Sequence, residues 1–306
     1  MAEVEKSKLE NQKDLGNEEV TPSTLKTIYR EIIHDKWAMV SLFVALFIIL
    51  FSIIGSFFIN QDKLLTVDIF NAWLKPGQAG HILGTENSGY DILGFLIVGA
   101  RNSILMGVAL AILIESIGIF VGFISAYYGG IVDLIIMRIV DFFMIIPQTM
   151  AVITIVSIWK NYTPVNLVLL MAAMSWMSTT RLMRSLALSQ RDRDYVLASK
   201  TSGTGNFKII FREILPNIST FIITDFTLTL ASMIGFEVTL SYLGFGLPDK
   251  VPSIGTLIGY AGDTNYMLTY PWGWLPALIT LVILTVSINF FGQALRRAAD
   301  ARQRTA

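Results

Sequence analysis

Five ionisable residues lie inside stretches that are otherwise apolar: Glu115, Arg138, Asp141, Asp225 and Glu237. On insertion scales such a group costs about 2.5–3.5 kcal/mol at the middle of a membrane helix, so each raises a functional question. Arg138 and Asp141 are three apart, on one helix face, and are expected to form an intramembrane ion pair. Glu115, Asp225 and Glu237 show no evident partner along the sequence. A cavity, a partner subunit or a neighbouring helix would each accommodate them, and a proton relay would use carboxylates of this kind. Other chemistries fail for want of residues. There is no cysteine, and His34 and His81 are the only histidines, so neither a thiolate site nor a histidine metal cluster can form. A phosphate-cradling loop needs Gly-x4-Gly-Lys-Ser/Thr, and none of the 23 glycines is followed by lysine. No nucleophile–base constellation points to an enzyme, and no basic patch interleaved with aromatics points to nucleic acid.

The elements that carry these residues follow from composition. Of 306 residues 53% are hydrophobic and 15% charged, with mean hydropathy +0.60, whereas a soluble domain carries roughly 25% charged residues. Residues 37–61, 161–180 and 264–295 contain no Asp, Glu, Lys or Arg, and 102–132 contains only Glu115. About 20 apolar residues span a bilayer core as a helix, and lipid leaves exposed backbone no partner, so these runs are helices. The expected fold is all-α and polytopic, with six membrane helices at about 37–59, 102–127, 134–158, 165–187, 218–240 and 272–294. With the N-terminus in the cytoplasm, 18 of the 23 Lys and Arg fall on the inner side, which is the positive-inside pattern and places both termini inside the cell membrane. Residues 1–22 read as a disordered polar tail and 296–306 as a cytoplasmic tail. Residues 23–36 form an amphipathic piece, capped by Thr21 or Ser23. It is either an interfacial helix on the inner leaflet or the cytoplasmic extension of the first span. Gly118 and Gly122 have the small-xxx-small spacing that lets helices pack closely.

Between the fourth and fifth spans, residues 189–217 break the pattern with the only sizeable inner loop. Asp194 is placed to cap a short helix running through Lys200, and Gly203 offers the left-handed conformation that stops it. A second amphipathic piece follows, with Phe207, Ile210, Phe211 and Ile214 as its apolar face. Pro216 then stands where the next span begins. A glycine-ended helix held between two membrane helices is a rigid knob that a soluble protein could grip.

This loop resembles the EAA loop of ABC importer permeases, whose pattern is Glu-Ala-Ala, three residues, Gly, about nine residues, then Ile-x-Leu-Pro. Leu197, Ala198 and Ser199 stand at the Glu-Ala-Ala positions, Gly203 at the glycine, and Ile214, Leu215 and Pro216 at the close. "HILGTENSGYDILGFLIVGARNSILMG" is similar to the segment His-x-Leu-Gly-Thr-Asp-x-x-Gly-Arg-Asp of the peptide/nickel importer group, with Glu86 for the usual Asp and Tyr90 for the usual Arg. "YYGGIVDLIIMRIVDFFMIIP" and "SYLGFGLPDKVPSIGTLI" match two further segments of that group, in the expected order. The likeness runs from about residue 36 to 300 and fits best a C-type subunit of an oligopeptide or dipeptide permease.

The resemblance implies a permease domain over 37–295 that holds no cofactor itself, since ATP and Mg would be bound by partner subunits. The partners it implies are two cytoplasmic ATPases, a second permease of the same family, an extracytoplasmic peptide-binding protein, and membrane lipid. It assigns Asp194, Leu197, Ala198, Ser199, Lys200, Gly203, Leu215 and Pro216 to a coupling loop seated on an ATPase, with Thr180, Arg181 and Arg184 either part of its rigid arm or in contact with the ATPase surface. The outer loops 60–95 and 241–271 would meet the binding protein or simply close the outer end, with Asp249, Lys250 and Asp263 at the rim. An ion-coupled secondary transporter would instead predict repeated halves with broken helices, and a same-family permease for nickel or another small solute is the nearer alternative.

Overall fold

The computed structural model describes residues 33, 35–248 and 250–303, and among them there is no β-strand, only an isolated bridge between Thr85 and Asp91. The expected tail 1–22, all but a few residues of the piece 23–36 with its Thr21 or Ser23 cap, His34 and Asp249 lie outside the described residues.

Helix α1 (Lys36–Phe57) starts where the Asp35 carboxylate accepts the backbone N–H groups of Trp37 and Ala38, each at 3.1 Å. These bonds satisfy two donors that no intrahelical carbonyl can reach. Those bonds, that from Ala38 foremost, and the nearby Arg297 guanidinium at 3.0 Å hold the Asp35 carboxyl below the usual carboxylate range. The long α2 (Ile92–Tyr128) begins ten residues before the expected start of the second span, at an Asp91 cap. Its 37 residues rise about 55 Å at 1.5 Å each, well beyond a hydrocarbon core of about 30 Å.

The third expected span is two helices, α3 (Gly130–Ile145) and α4 (Gln148–Ile158), bent by 75°. Pro147 explains the break, because it forces Ile146 into extended backbone (φ −76°, ψ 122°) and offers no N–H to continue the ladder. The fourth expected span is likewise covered by two pieces, α5 (Pro164–Ala173) and α6 (Met177–Arg191). The charged loop follows as α7 (Asp194–Thr201) and α8 (Asn206–Ile209), which runs through a π turn (Ile210–Ile214) into Leu215–Asn217. Helix α9 (Ser219–Tyr242) precedes two short helices of the opposite end, α10 (Ile254–Gly259) and α11 (Thr264–Thr269), and α12 (Leu275–Gln303) closes the chain. By length and composition, four of the described helices can cross a membrane, α1, α2, α9 and α12, and a fifth crossing results if the bent pair α3–α4 is one span.

Helix α2 is the axis of the assembly and touches α1, α3, α5, α6, α9 and α10. Its closest partner is α6, and the two glycines explain how. A Cβ at Gly118 would lie 2.5 Å from Thr179 Cγ2, and one at Gly122 would lie 2.7 Å from the Thr180 carbonyl oxygen. The two backbones meet there with no room for a side chain.

At the end remote from the charged loop, the outer segments pack on one another. Glu86, fully buried, accepts the N–H groups of Ser88 and Tyr90 and the hydroxyl of Tyr260 at 2.5 Å. Burial and then the facing Glu86 carboxylate push the Tyr260 phenol above its ordinary value. Trp73 stacks on Tyr270 and Tyr266 at 4.2 and 5.1 Å between ring centres. Asp263 caps α11 by accepting the N–H groups of Asn265 and Tyr266, and both it and Lys250 are exposed at the rim.

Candidate functional site

The charged loop projects from one end of the bundle, and three local features fix its shape. Arg193, not Asp194, occupies the position before α7. Asp194 is the first helical residue, where its charge still faces the positive helix end without a capping bond. The C-terminal end is a Schellman turn: Gly203 N–H donates to Lys200 O at 3.1 Å and Thr204 N–H to Ser199 O at 3.0 Å, with Gly203 at φ +75°. Nothing lies within 4 Å of where a Gly203 Cβ would be, so the requirement for glycine is one of backbone conformation alone.

Anchoring comes from a small apolar core. Val196 is fully buried against Phe123 and Ala126 of α2, Met183 and Ala187 of α6, and Ile209, Ile210, Ile214 and Ile218 of the following segment. Leu215 is half-buried beside it, whereas Pro216 is exposed. Polar ties add to this core. Ser199 donates to Glu213 Oε1 at 2.6 Å, Tyr127 donates to Asn206 Oδ1 at 2.8 Å, and Arg191 Nη1 donates to Ala126 O at 3.0 Å, near the end of α2. The Lys200 ammonium sits 5.1 Å from the centre of the Tyr127 ring, a cation–π contact, and the residue stays exposed. Asp194, Leu197, Ala198, Thr201, Ser202 and Gly203 remain exposed and form the outward face.

Two sequence expectations need correction. The packed face of the second piece is Ile209, Ile210 and Ile214, while Phe207 and Phe211 are exposed and stack on each other at 6.2 Å. Both rings border a groove against Phe120, Phe123 and Tyr128 of α2, on the flank of the buried isoleucines. The intramembrane pair Arg138–Asp141 does not form either. Asp141 binds Arg181 of α6, and Arg138 is exposed. One turn of helix puts Arg138 near Asp141 in principle, but α6 packs against this face of α3 and supplies a cation of its own.

A second tie runs parallel to the first. Arg184 meets Asp133 with Nε to Oδ1 and Nη2 to Oδ2, each 2.5 Å, and Ser125 also donates to Asp133. Thus Arg181 and Arg184 clamp α6 to α3, while Thr180 is buried where Gly122 lets α2 approach. The loop therefore stands on a helix braced on two sides. Because the Asp133–Arg184 fork is bidentate and mostly covered, Asp133→Ala is expected to lower stability by about 1.5–3 kcal/mol. The half-exposed Asp141–Arg181 pair is worth only about 0–1 kcal/mol. Thermal unfolding of purified Asp133→Ala and Asp141→Ala checks the order, and equal losses would contradict it.

Sequence inspection missed Val196, Glu213, Arg191 and Asp133. Their signals were present only as residue types: a β-branched residue in the middle of a short helix, and charges flanking apolar runs.

The comparisons with known proteins agree with one another. A family model described as the binding-protein-dependent transport system inner membrane component matches residues 118–305, and one described as the N-terminal TM domain of oligopeptide transport permease C matches 23–76. The chain is 44% identical over 285 residues to the oligopeptide transport system permease protein OppC of Lactococcus lactis subsp. cremoris (strain SK11), covering 92% of this chain and 96% of that protein. It is 35% identical to the protein of the same name from Mycobacterium tuberculosis (strain CDC 1551 / Oshkosh), over 77% of this chain and 81% of the relative. To the dipeptide transport system permease protein DppC of Haemophilus influenzae it is 32% identical, over 85% and 88% respectively.

Proposed function

This chain belongs to the family of binding-protein-dependent transport system inner membrane components, and from that membership we propose that it is the membrane permease subunit of an ATP-driven importer of peptides. Peptides are the proposed cargo because the relatives are named for oligopeptide and dipeptide transport. ATP hydrolysis belongs to partner subunits, since no phosphate-binding loop exists in the sequence. The proposed assembly has two cytoplasmic ATPases, a second permease and an extracytoplasmic binding protein. Six crossings with both termini in the cytoplasm are supported by the distribution of Lys and Arg, which puts the charged loop on the cytoplasmic side.

One observation carries the coupling role. Helix α7 projects an exposed face of Leu197, Ala198, Thr201 and Ser202 while Val196 locks its other side to α2 and α6. A knob so mounted cannot be displaced without moving α6, and with it the braced α2 and α3. ATPase closure around α7 would thus shift the membrane helices between inward- and outward-open states. Leu197, where the family pattern has Glu, is 45% exposed, so the seat on the ATPase must be apolar at that point. The exposed face of α9 carries Ser232 and Thr239, each hydroxyl donating to a carbonyl one turn back, at 3.0 and 2.8 Å. Neutral hydroxyls already satisfied in this way suit the wall of a path that passes peptides of either charge.

The test is purification with native partners followed by reconstituted uptake. Copurification of two ATPases and a second permease, with peptide uptake that requires ATP, is expected. Uptake that persists with the ATPases disabled and follows an ion gradient would instead identify an ion-coupled secondary transporter.

A further inference from the structure

Glu115 of α2 and Asp225 of α9 meet inside the bundle with their side chains in direct contact. Glu115 is 4% exposed, its Oε1 accepts from Thr229 of α9 at 3.2 Å, and its Oε2 has no hydrogen-bond donor. Asp225 accepts from Thr179 of α6, and its buried Oδ2 also lacks a donor. Two acceptor oxygens, both buried and both unsatisfied, therefore belong to carboxyl groups that touch. Two carboxylates at contact distance repel each other when both are ionised, whereas a protonated carboxyl is a donor to its neighbour. Among the described residues no group of three or more His, Cys, Asp or Glu surrounds them, so the donor set does not suit a metal ion.

We propose that Glu115 and Asp225 share a single proton and that this carboxyl–carboxylate bond is a proton-operated latch between α2 and α9. One negative charge remains on the pair, and Arg296 of α12 is the charged group facing it; α6 and α9 contribute only the hydroxyls of Thr179 and Thr229. A cavity of about 220 Å³ is lined by Asp225 and Thr224 of α9, Leu182 and Leu186 of α6 and the exposed Arg296 of α12, so it reaches the Asp225 side of the pair. Water entering there is the route by which the proton exchanges. The latch is intact while the pair holds its one proton. As pH rises on that side the proton leaves, two like charges face each other, and α2 and α9 lose this tie. Glu115 and Asp225 are positioning residues, since neither lies on the exposed face of α7 or of α9.

Infrared difference spectroscopy on the whole complex tests the shared proton directly, and it does not depend on what the complex transports. The wild-type minus Glu115→Gln spectrum should contain a protonated-carboxyl C=O band that shifts in D2O. An amide donates to the remaining carboxylate and removes the need for the proton, so wild type minus Asp225→Asn should show the same loss. In vesicles, wild-type uptake should fall about tenfold per pH unit once the pair ionises, while Glu115→Gln should lack that alkaline fall. Absence of the band from both difference spectra, or an alkaline fall of equal size in wild type and Glu115→Gln, overturns the proposal. So does failure of both single amide variants to assemble, which would mean that each carboxylate is required in its charged form.

Discussion

In a complex that carries Gly203→Val, ATP hydrolysis is expected to continue while it ceases to respond to loaded binding protein, and peptide uptake falls by about an order of magnitude. The physical cause is local. Gly203 holds φ +75°, a conformation in which a Cβ approaches the following carbonyl, and a β-branched residue there costs about 1–2 kcal/mol. Since each 1.4 kcal/mol is a factor of ten in population, the ratio of formed to unwound Schellman turn at the end of α7 falls by about 5- to 30-fold. No neighbour lies within 4 Å of that position, so the core around Val196 is untouched and the protein still folds. The defect is thus expected in transmission and not in accumulation. Gly203→Asn, which tolerates the left-handed region, should restore most of the response. Normal coupling in the valine variant would remove α7 from the mechanism.

A second substitution is expected to act through stability instead. Gly122→Ala places a Cβ 2.7 Å from the Thr180 carbonyl oxygen and 2.9 Å from the Arg184 backbone nitrogen, neither of which can swing aside. Overpacking of this kind costs about 1–3 kcal/mol. It should lower the thermal midpoint of the purified complex, and Gly122→Leu should prevent accumulation in the membrane. Gly235→Ala in α9 is the control, because no atom lies within 4 Å of its Cβ. Removing a helical glycine there should be neutral or stabilising by about 0.5–1 kcal/mol. Indistinguishable alanine variants at the two sites would mean that α2 and α6 do not pack as closely as the structure has them.

The two variants separate the roles of neighbouring parts. Gly203 shapes the tip of the knob, and Gly122 sets how tightly its supporting helix grips α2. A loose support and a misshapen tip both reduce uptake, but only the first lowers the melting temperature.

Much of this site was legible beforehand, for reasons of local physics. A glycine after a short helix signals a left-handed stop whatever surrounds it, and the Gly118–Gly122 spacing signals close packing because no side chain intervenes. What escaped was the choice among adjacent candidates. Tyr195, Val196, Leu197 and Ala198 are consecutive apolar residues on an eight-residue helix. A run that short has no periodicity strong enough to say which one turns inward. Only the position of α2 and α6 selects Val196 and leaves Leu197 outside.

Uncharged runs of membrane-spanning length, and the charged, glycine-ended stretch between two of them, determined from the sequence alone a helical membrane protein with a polar loop at mid-chain. Each of these depends on composition over one segment, which lipid and water read directly. The tertiary structure decided what lay between segments: that Pro147 bends one span by 75°, that Asp141 takes Arg181 in place of Arg138, and that Glu115 finds Asp225. The partners in those pairs are 40 and 110 residues apart. No local rule connects such positions; only packing of whole helices brings them into reach.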